Sequence, residues 1–190
     1  MKFNRHSDLE GKHAFLGAST PHWQNYDDEK LLIKIAQRDA AAIGTRKHNL
    51  ACELIKLGVK LPNTAQTLNM YVNDCIGYRM TPEQTLFYSW NAFGTTDAIG
   101  FTMGPDEIPV LRIFDLKTGV SKATVRQLET YAGFFCLEYK IRPMEINYDL
   151  RIYQNDEIYS FETDPEQIAH VMSRIVECDK IVERANSEGV

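Results

Sequence analysis

The hydrophobic pattern of this chain changes its period at Pro82, and that change limits the folds open to it. Apolar residues recur at helical spacing in three earlier segments: residues 27–42, 44–58 and 63–79. Aromatic and β-branched residues, typical of strands, dominate three segments that follow: residues 83–90, 93–101 and 110–119. The chain therefore begins with helices and turns to strands near its middle.

The rest of the chain mixes both patterns. A helical period returns over 122–141, two strands are predicted within 144–163 around the turn QNDE, and Pro165 opens a last helix. This order predicts an α/β (α+β) fold, in which a central mixed sheet is flanked by helices and preceded by a helical region. Because no linker or repeat interrupts it, we expect one domain over 1–190, helical over 1–80 and sheet-containing over 81–190.

Charge and hydropathy exclude several classes of protein. The formal net charge of −5 argues against a strongly basic tail that coats nucleic acid, although a local basic surface stays open. No run of about 18 apolar residues exists, and the N-terminus lacks the apolar centre of a secretory signal. We therefore expect a cytoplasmic protein with no membrane partner. The four cysteines are far apart, form no CxxC and are expected to be small buried hydrophobes.

The segment VLRIFDLKTG carries the most informative chemistry. Its apolar residues place a strand in the core, yet the strand ends on Asp115 and Lys117. Side chains alternate along a strand, so these two point to the same face, about 6.6 Å apart along the chain. Asp97 lies within the preceding strand, in FGTTDAIG. Buried charges are unfavourable unless they are paired or bind a metal, which makes this segment a candidate site.

Two carboxylates from adjacent strands are oxygen ligands suited to Mg²⁺ or Mn²⁺. A lysine on the same face suits a developing hydroxide or a phosphate oxygen. Together these groups supply what phosphodiester hydrolysis needs. The simpler interpretation also stays open, since a D-x-K segment alone is most often a solvated surface pair.

The motifs GTTD, FDLK and QLETY, in this order, resemble those of the PD-(D/E)xK nuclease superfamily, and most closely its RecB-like, lambda-exonuclease-like branch. The histidine of GTRKH, which follows Gly44, resembles the upstream histidine of RecB-like members. The resemblance covers roughly residues 44 to 150. It implies a restriction-endonuclease-like core and a metal-dependent hydrolase acting on DNA. It favours an exonuclease of a phage or prophage recombination, replication or repair module.

The resemblance also implies roles for individual residues. Asp97 and Asp115 are expected to hold one or two divalent ions, with the Leu116 carbonyl as a further ligand. His48 completes the metal shell or contacts substrate. Lys117 positions or helps to deprotonate the attacking water.

Gln127 and Tyr131 lie four residues apart on one helix face, so they could act together. The resemblance places them in the catalytic site beside the lysine, where they contact the substrate or support the site. The simpler alternatives are an exposed helix histidine at His48 and a plain core aromatic at Tyr131. Glu83 is an acid that some members use, but an exposed position at the start of a strand is favoured. Glu53 lies off the face of His48.

DNA binding requires local positive charge despite the net −5. The candidates flank the motifs in sequence: Arg46, Lys47, Lys122 and Arg126. The resemblance further implies a single-strand annealing or other recombination protein as a partner, and it leaves a homo-oligomer open. No iron–sulfur cluster is expected, because Cys178 has no neighbouring cysteine. Two other functions stay open: a catalytically silent module that binds nucleic acid or protein, and a structure-specific endonuclease.

Overall fold

The computed structural model describes residues 6–9, 11–119 and 124–188. Its contacts divide the chain into two compact units, Met1–Ala42 and Ile43–Val190. The prediction of one domain over 1–190 stays a prediction. In the first unit, short 3-10 helices span Ser7–Leu9 and Pro21–Asn25.

The first helix, α1, runs without a break over Asp28–Leu57. The sequence pattern predicted two helices separated at residue 43, and that prediction is wrong. A single glycine is tolerated inside a helix, and Gly44 is buried where a Cβ atom would lie 2.6 Å from Thr118 Oγ1. The predicted end is confirmed, because Gly58 follows α1 with φ of +66° and Val59 N–H donates to the Leu54 carbonyl.

Helix α2, Thr67–Gly77, precedes a sheet of five strands. The strands are β1 Thr81–Ser89, β2 Ala92–Met103, β3 Pro109–Leu116, β4 Asn147–Gln154 and β5 Glu157–Phe161. Their spatial order is β1-β2-β3-β4-β5, and only β3 and β4 are parallel. Helix α3, Arg126–Tyr139, makes the crossover between those two strands, and α4, Pro165–Glu188, ends the described chain. The predicted α/β fold with a mixed sheet and an N-terminal helical region is confirmed.

Two hydrophobic clusters cover the two faces of the sheet. Ile113 and Phe114 are neighbours on β3, so their side chains point to opposite faces. Ile113 packs in a cluster with α3 and α4, through residues such as Leu128 and Ile168. Phe114 packs in a cluster with α1 and α2, through residues that include Tyr71. The strand before the D-x-K segment is therefore fixed from both sides.

Cys52, Cys75 and Cys136 are buried and free, as expected. Cys178 is also free but exposed, so the prediction of burial is wrong at that position. Arg174, one turn earlier on α4, donates a weak hydrogen bond to its sulfur at 3.7 Å. Among the described residues, no helix is both long and apolar enough to cross a membrane.

Candidate functional site

Asp115 and Lys117 meet where β3 ends. Lys117 Nζ donates to Asp115 Oδ1 at 3.0 Å and lies 2.9 Å from Oδ2 as an ion pair. Asp115 is only 3% exposed, whereas a third of the Lys117 side chain reaches solvent. The lysine backbone is fixed too, because its N–H donates to the Tyr153 carbonyl on β4 at 2.9 Å. The charged pair therefore has a buried acid and an accessible ammonium group.

Asp97 on β2 connects the end of β3 to His48 on α1. Its Oδ2 accepts the backbone N–H of Leu116 at 2.8 Å and lies 3.4 Å from His48 Nδ1. Leu116, which lies between Asp115 and Lys117, thus holds the Asp97 side chain of the neighbouring strand through its backbone N–H. The two side chains of this pair are 29% and 21% exposed. His48 is therefore not an isolated surface histidine, although its role as a metal ligand stays a prediction.

Glu83 also lies in this group, although the sequence favoured an exposed position for it outside the site. One ligand atom each from His48, Glu83 and Asp97 lies within 4.8 Å of the others. Glu83 is exposed, as expected, but its side chain reaches the pair formed by α1 and β2. Its backbone has φ of +52° within β1, between Pro82 and Gln84, which pair with β2 in regular register. A non-glycine residue in the left-handed region is unfavourable by about 1–2 kcal/mol, and such strain often marks functional sites.

A chain of hydrogen bonds leads from Lys117 to β2. Lys117 Nζ donates to Gln127 Oε1 at 2.8 Å, and Gln127 Nε2 donates to the Tyr131 hydroxyl at 3.2 Å. That hydroxyl donates to the Thr95 carbonyl at 2.7 Å. Tyr131 can approach β2 so closely because position 94 is glycine, where a Cβ atom would lie 3.0 Å from its ring. Gln127 and Tyr131 thus hold the lysine from α3, and Tyr131 is not a plain core aromatic.

Burial and neighbouring charges raise the pKa values of three groups in the site. Burial, and next the charge of Asp97, raises the pKa of Asp115, while Lys117 opposes this. Burial and Asp97 raise the pKa of Glu83 in the same way. The contact with the Asp97 carboxylate raises the pKa of His48, and burial partly opposes it. Each of these pKa shifts favours the protonated form, through burial at the two acids and through the neighbouring carboxylate at His48.

The predicted basic residues lie in different places. Lys47 and Lys117 line one polar cleft of about 190 Å³, together with Thr118. Arg46 is exposed on α1, and Arg126 lines a separate groove near the start of α3. Lys122 lies outside the described residues. Glu53 is exposed and pairs with Lys56 at 3.5 Å, so it takes no part in the acidic group.

The group fits a divalent cation. Carboxylate oxygens with one imidazole nitrogen are ligands that Mg²⁺ and Mn²⁺ accept. The cluster of His48, Glu83 and Asp97 provides them at mutual distances that one ion can bridge. Asp115 Oδ2 is a buried carboxylate oxygen that makes no hydrogen bond, although the ammonium group of Lys117 lies 2.9 Å from it. The predicted ligands Asp115 and the Leu116 carbonyl lie beside that cluster and stay predictions.

Comparisons of the chain with family models, with curated proteins and with solved structures find no match.

Proposed function

We propose that this protein is a divalent-metal-dependent nuclease that hydrolyses phosphodiester bonds in DNA. One observation carries the proposal: a histidine and two acids from three elements meet next to the ion pair of the buried Asp115 and the accessible Lys117. Acids that share a site with an ammonium group and solvent access suit the hydrolysis of an anionic ester. If Asp115 and Lys117 formed only a structural ion pair, there would be no need for Glu83 as a further acid or for its strained backbone.

The metal ligands proposed are His48, Glu83, Asp97 and Asp115. A divalent ion bound there lowers the pKa of a water molecule and offsets the negative charge of the phosphate. The protein supplies the geometry. The Leu116 N–H fixes the Asp97 carboxylate, and β3 holds Asp115 in the core. Both acids are thus oriented before any ligand arrives, which reduces reorganisation during the reaction.

Lys117 is the proposed catalytic lysine. An ammonium group has three protons, and Asp115 and Gln127 each accept one. The remaining proton is available to a phosphate oxygen or to the attacking water. Lys47, on the same cleft, adds positive charge where the DNA backbone would lie.

The test is digestion of linear and closed circular DNA by the purified protein with Mg²⁺ or Mn²⁺. We expect wild-type protein to degrade linear DNA, because the resemblance favours cleavage from ends. Asp97→Asn and Asp115→Asn are expected to be inactive, whereas Glu53→Gln, an acid outside the group, is expected to retain activity.

Each outcome decides between functions. DNA that stays intact in every reaction contradicts the nuclease. Calorimetry then asks whether Mn²⁺ binds at all, because a module that only binds nucleic acid or protein needs no ion at this position. Discrete fragments from the closed circle would identify an endonuclease instead.

A further inference from the structure

Three aromatic side chains at the tip of the β1–β2 hairpin are exposed and touch one another. Phe87, Trp90 and Phe93, which we call the tip cluster, are 39%, 87% and 56% exposed. The ring centroids of Phe87 and Trp90 are 5.6 Å apart, and those of Phe87 and Phe93 are 6.4 Å apart. So much exposed aromatic surface in one place indicates a binding site.

The tip is held rigidly by polar contacts. Asp179 on α4 is only 7% exposed and accepts hydrogen bonds from Ser89 Oγ at 2.6 Å and Asn91 Nδ2 at 3.0 Å. The Phe87 N–H donates to Glu138 Oε2 on α3 at 2.8 Å. The aromatic rings are therefore presented by a fixed loop, so a ligand that binds them loses little entropy in ordering the protein.

A groove of about 610 Å³ begins beside the tip cluster and continues between α3 and α4. Phe93 and Phe134 contribute apolar surface to it, and Arg126 adds a guanidinium group. Arg174 also lines the groove but is paired with Glu177 at 2.6 Å, and Asp179 is held by Ser89 and Asn91. Arg126 is exposed at the start of α3. The groove thus combines aromatic surface with an exposed guanidinium group, the combination that single-stranded nucleic acid binds.

The groove shares two elements, β2 and α3, with the proposed catalytic site. On α3, Arg126 and Thr130 line the groove, and each is followed directly by a residue of the hydrogen-bond chain, Gln127 or Tyr131. On β2, Phe93 is four residues from Asp97, about 13 Å along an extended strand. A nucleic acid strand with a phosphate at the catalytic site could therefore reach the groove within a few nucleotides.

We propose that the tip cluster and the groove bind unpaired bases of the DNA strand that is being cleaved. The substrate class is then DNA with a single-stranded end or segment. This inference rests on the proposed nuclease function, which identifies the bound strand as the one that is cleaved. Bases within a duplex are already stacked and paired, so their faces are not available to Trp90. A single strand offers a face at every base, and its phosphates match Arg126.

The test compares the affinities of the protein for a fluorescently labelled oligothymidine and for a labelled blunt duplex of equal length. Fluorescence anisotropy in EDTA measures both affinities. We expect the single strand to bind more tightly and to quench tryptophan fluorescence. Trp90→Ala is expected to weaken single-strand binding about tenfold, as when one base loses its stacking partner. Trp90→Phe keeps a ring and is expected to retain most of the affinity.

The control is Tyr139→Ala, since Tyr139 is 52% exposed but lies outside the tip cluster and the groove. Circular dichroism verifies that each variant is folded. Equal affinity of wild type and Trp90→Ala for the single strand overturns the proposal. It is also overturned if Trp90→Ala changes only the mass of the protein in light scattering, because the face is then a protein interface.

This result is separate from the test of catalysis. Loss of affinity in Trp90→Ala, in a protein that cleaves nothing with Mg²⁺ or Mn²⁺, supports the groove and contradicts the nuclease. Cleavage of DNA with unchanged affinity in Trp90→Ala supports the nuclease and contradicts the groove.

Discussion

Lys117 Nζ lies 3.0 Å from Asp115 Oδ1, so the ammonium group of the D-x-K segment is bound to the acid two residues before it. The acid is buried and the lysine is partly accessible. The lysine therefore neutralises a carboxylate in the core, and in the proposed nuclease it would also offer a proton to the substrate.

Lys117→Ala is expected to lower nuclease activity about 100-fold or more, the usual contribution of a positioned proton donor. It should also destabilise the metal-free protein by about 1–3 kcal/mol, because Asp115 loses its cation. Urea denaturation and a digestion assay measure the two effects. Lys60→Ala, at an exposed lysine, is the control. If the double variant Asp115→Asn/Lys117→Ala is no more stable than Lys117→Ala, the destabilisation does not come from the unpaired acid.

Gln127→Ala and Tyr131→Phe are expected to act through the position of Lys117. Each variant breaks the hydrogen-bond chain from the lysine to the Thr95 carbonyl. We expect kcat to fall about tenfold with little change in KM, and the double variant to lose no more than the worse single variant. Steady-state kinetics on a short oligonucleotide measure this. A rise in KM alone would mean that these side chains bind substrate instead.

Glu83 offers a test of its strained backbone. In an ordinary strand, alanine is more stable than glycine by about 0.5–1 kcal/mol. At φ of +52° the order should reverse, so Glu83→Gly is expected to be more stable than Glu83→Ala by about 1 kcal/mol. Both variants remove the carboxylate and should weaken Mn²⁺ binding equally. Thermal denaturation and calorimetry measure the two properties, and greater stability of Glu83→Ala would show that the position is unstrained.

Gly44 and Thr118 form a second close contact that can be tested. Alanine at 44 would normally stabilise a helix, but its Cβ would lie 2.6 Å from Thr118 Oγ1. Thr118 directly follows Lys117, so Gly44→Ala is expected to reduce activity several-fold. Thr118→Ala removes the clashing oxygen, and Gly44→Ala/Thr118→Ala should recover the activity lost by Gly44→Ala. A fully active Gly44→Ala would mean that Thr118 rotates away without moving the lysine.

The raised pKa of His48 predicts how stability depends on pH. The folded state holds the His48 proton more tightly than the unfolded chain, because Asp97 lies beside it. The resulting stabilisation is complete below the usual histidine pKa of about 6.5 and is lost as pH rises through the higher pKa of the folded state. In EDTA, the difference in free energy of unfolding between wild type and His48→Gln should therefore shrink from pH 5.5 to pH 8.5. A constant difference would show that His48 and Asp97 do not interact.

Local pattern was enough to predict most of the fold. The strands, the turn at Asn155 and Asp156 and the helix after Pro165 follow from residue types within a few positions of each other. The error in α1 has a physical cause as well. A glycine inside a helical pattern predicts a break. In the structure, Gly44 instead lies against the side chain of Thr118, 74 positions later in the chain, where a Cβ atom would clash.

The sequence by itself determined the order of the elements, the placement of Asp97 and Asp115 on strands that one sheet brings together, and the position of Lys117 directly after one of them. Only the tertiary structure decided that Glu83 reaches the same point and that an aromatic hairpin and two helices enclose a groove beside it. The reason is that periodicity depends on neighbours along the chain. A site depends on strand register, on backbone angles and on helix packing between residues far apart in sequence.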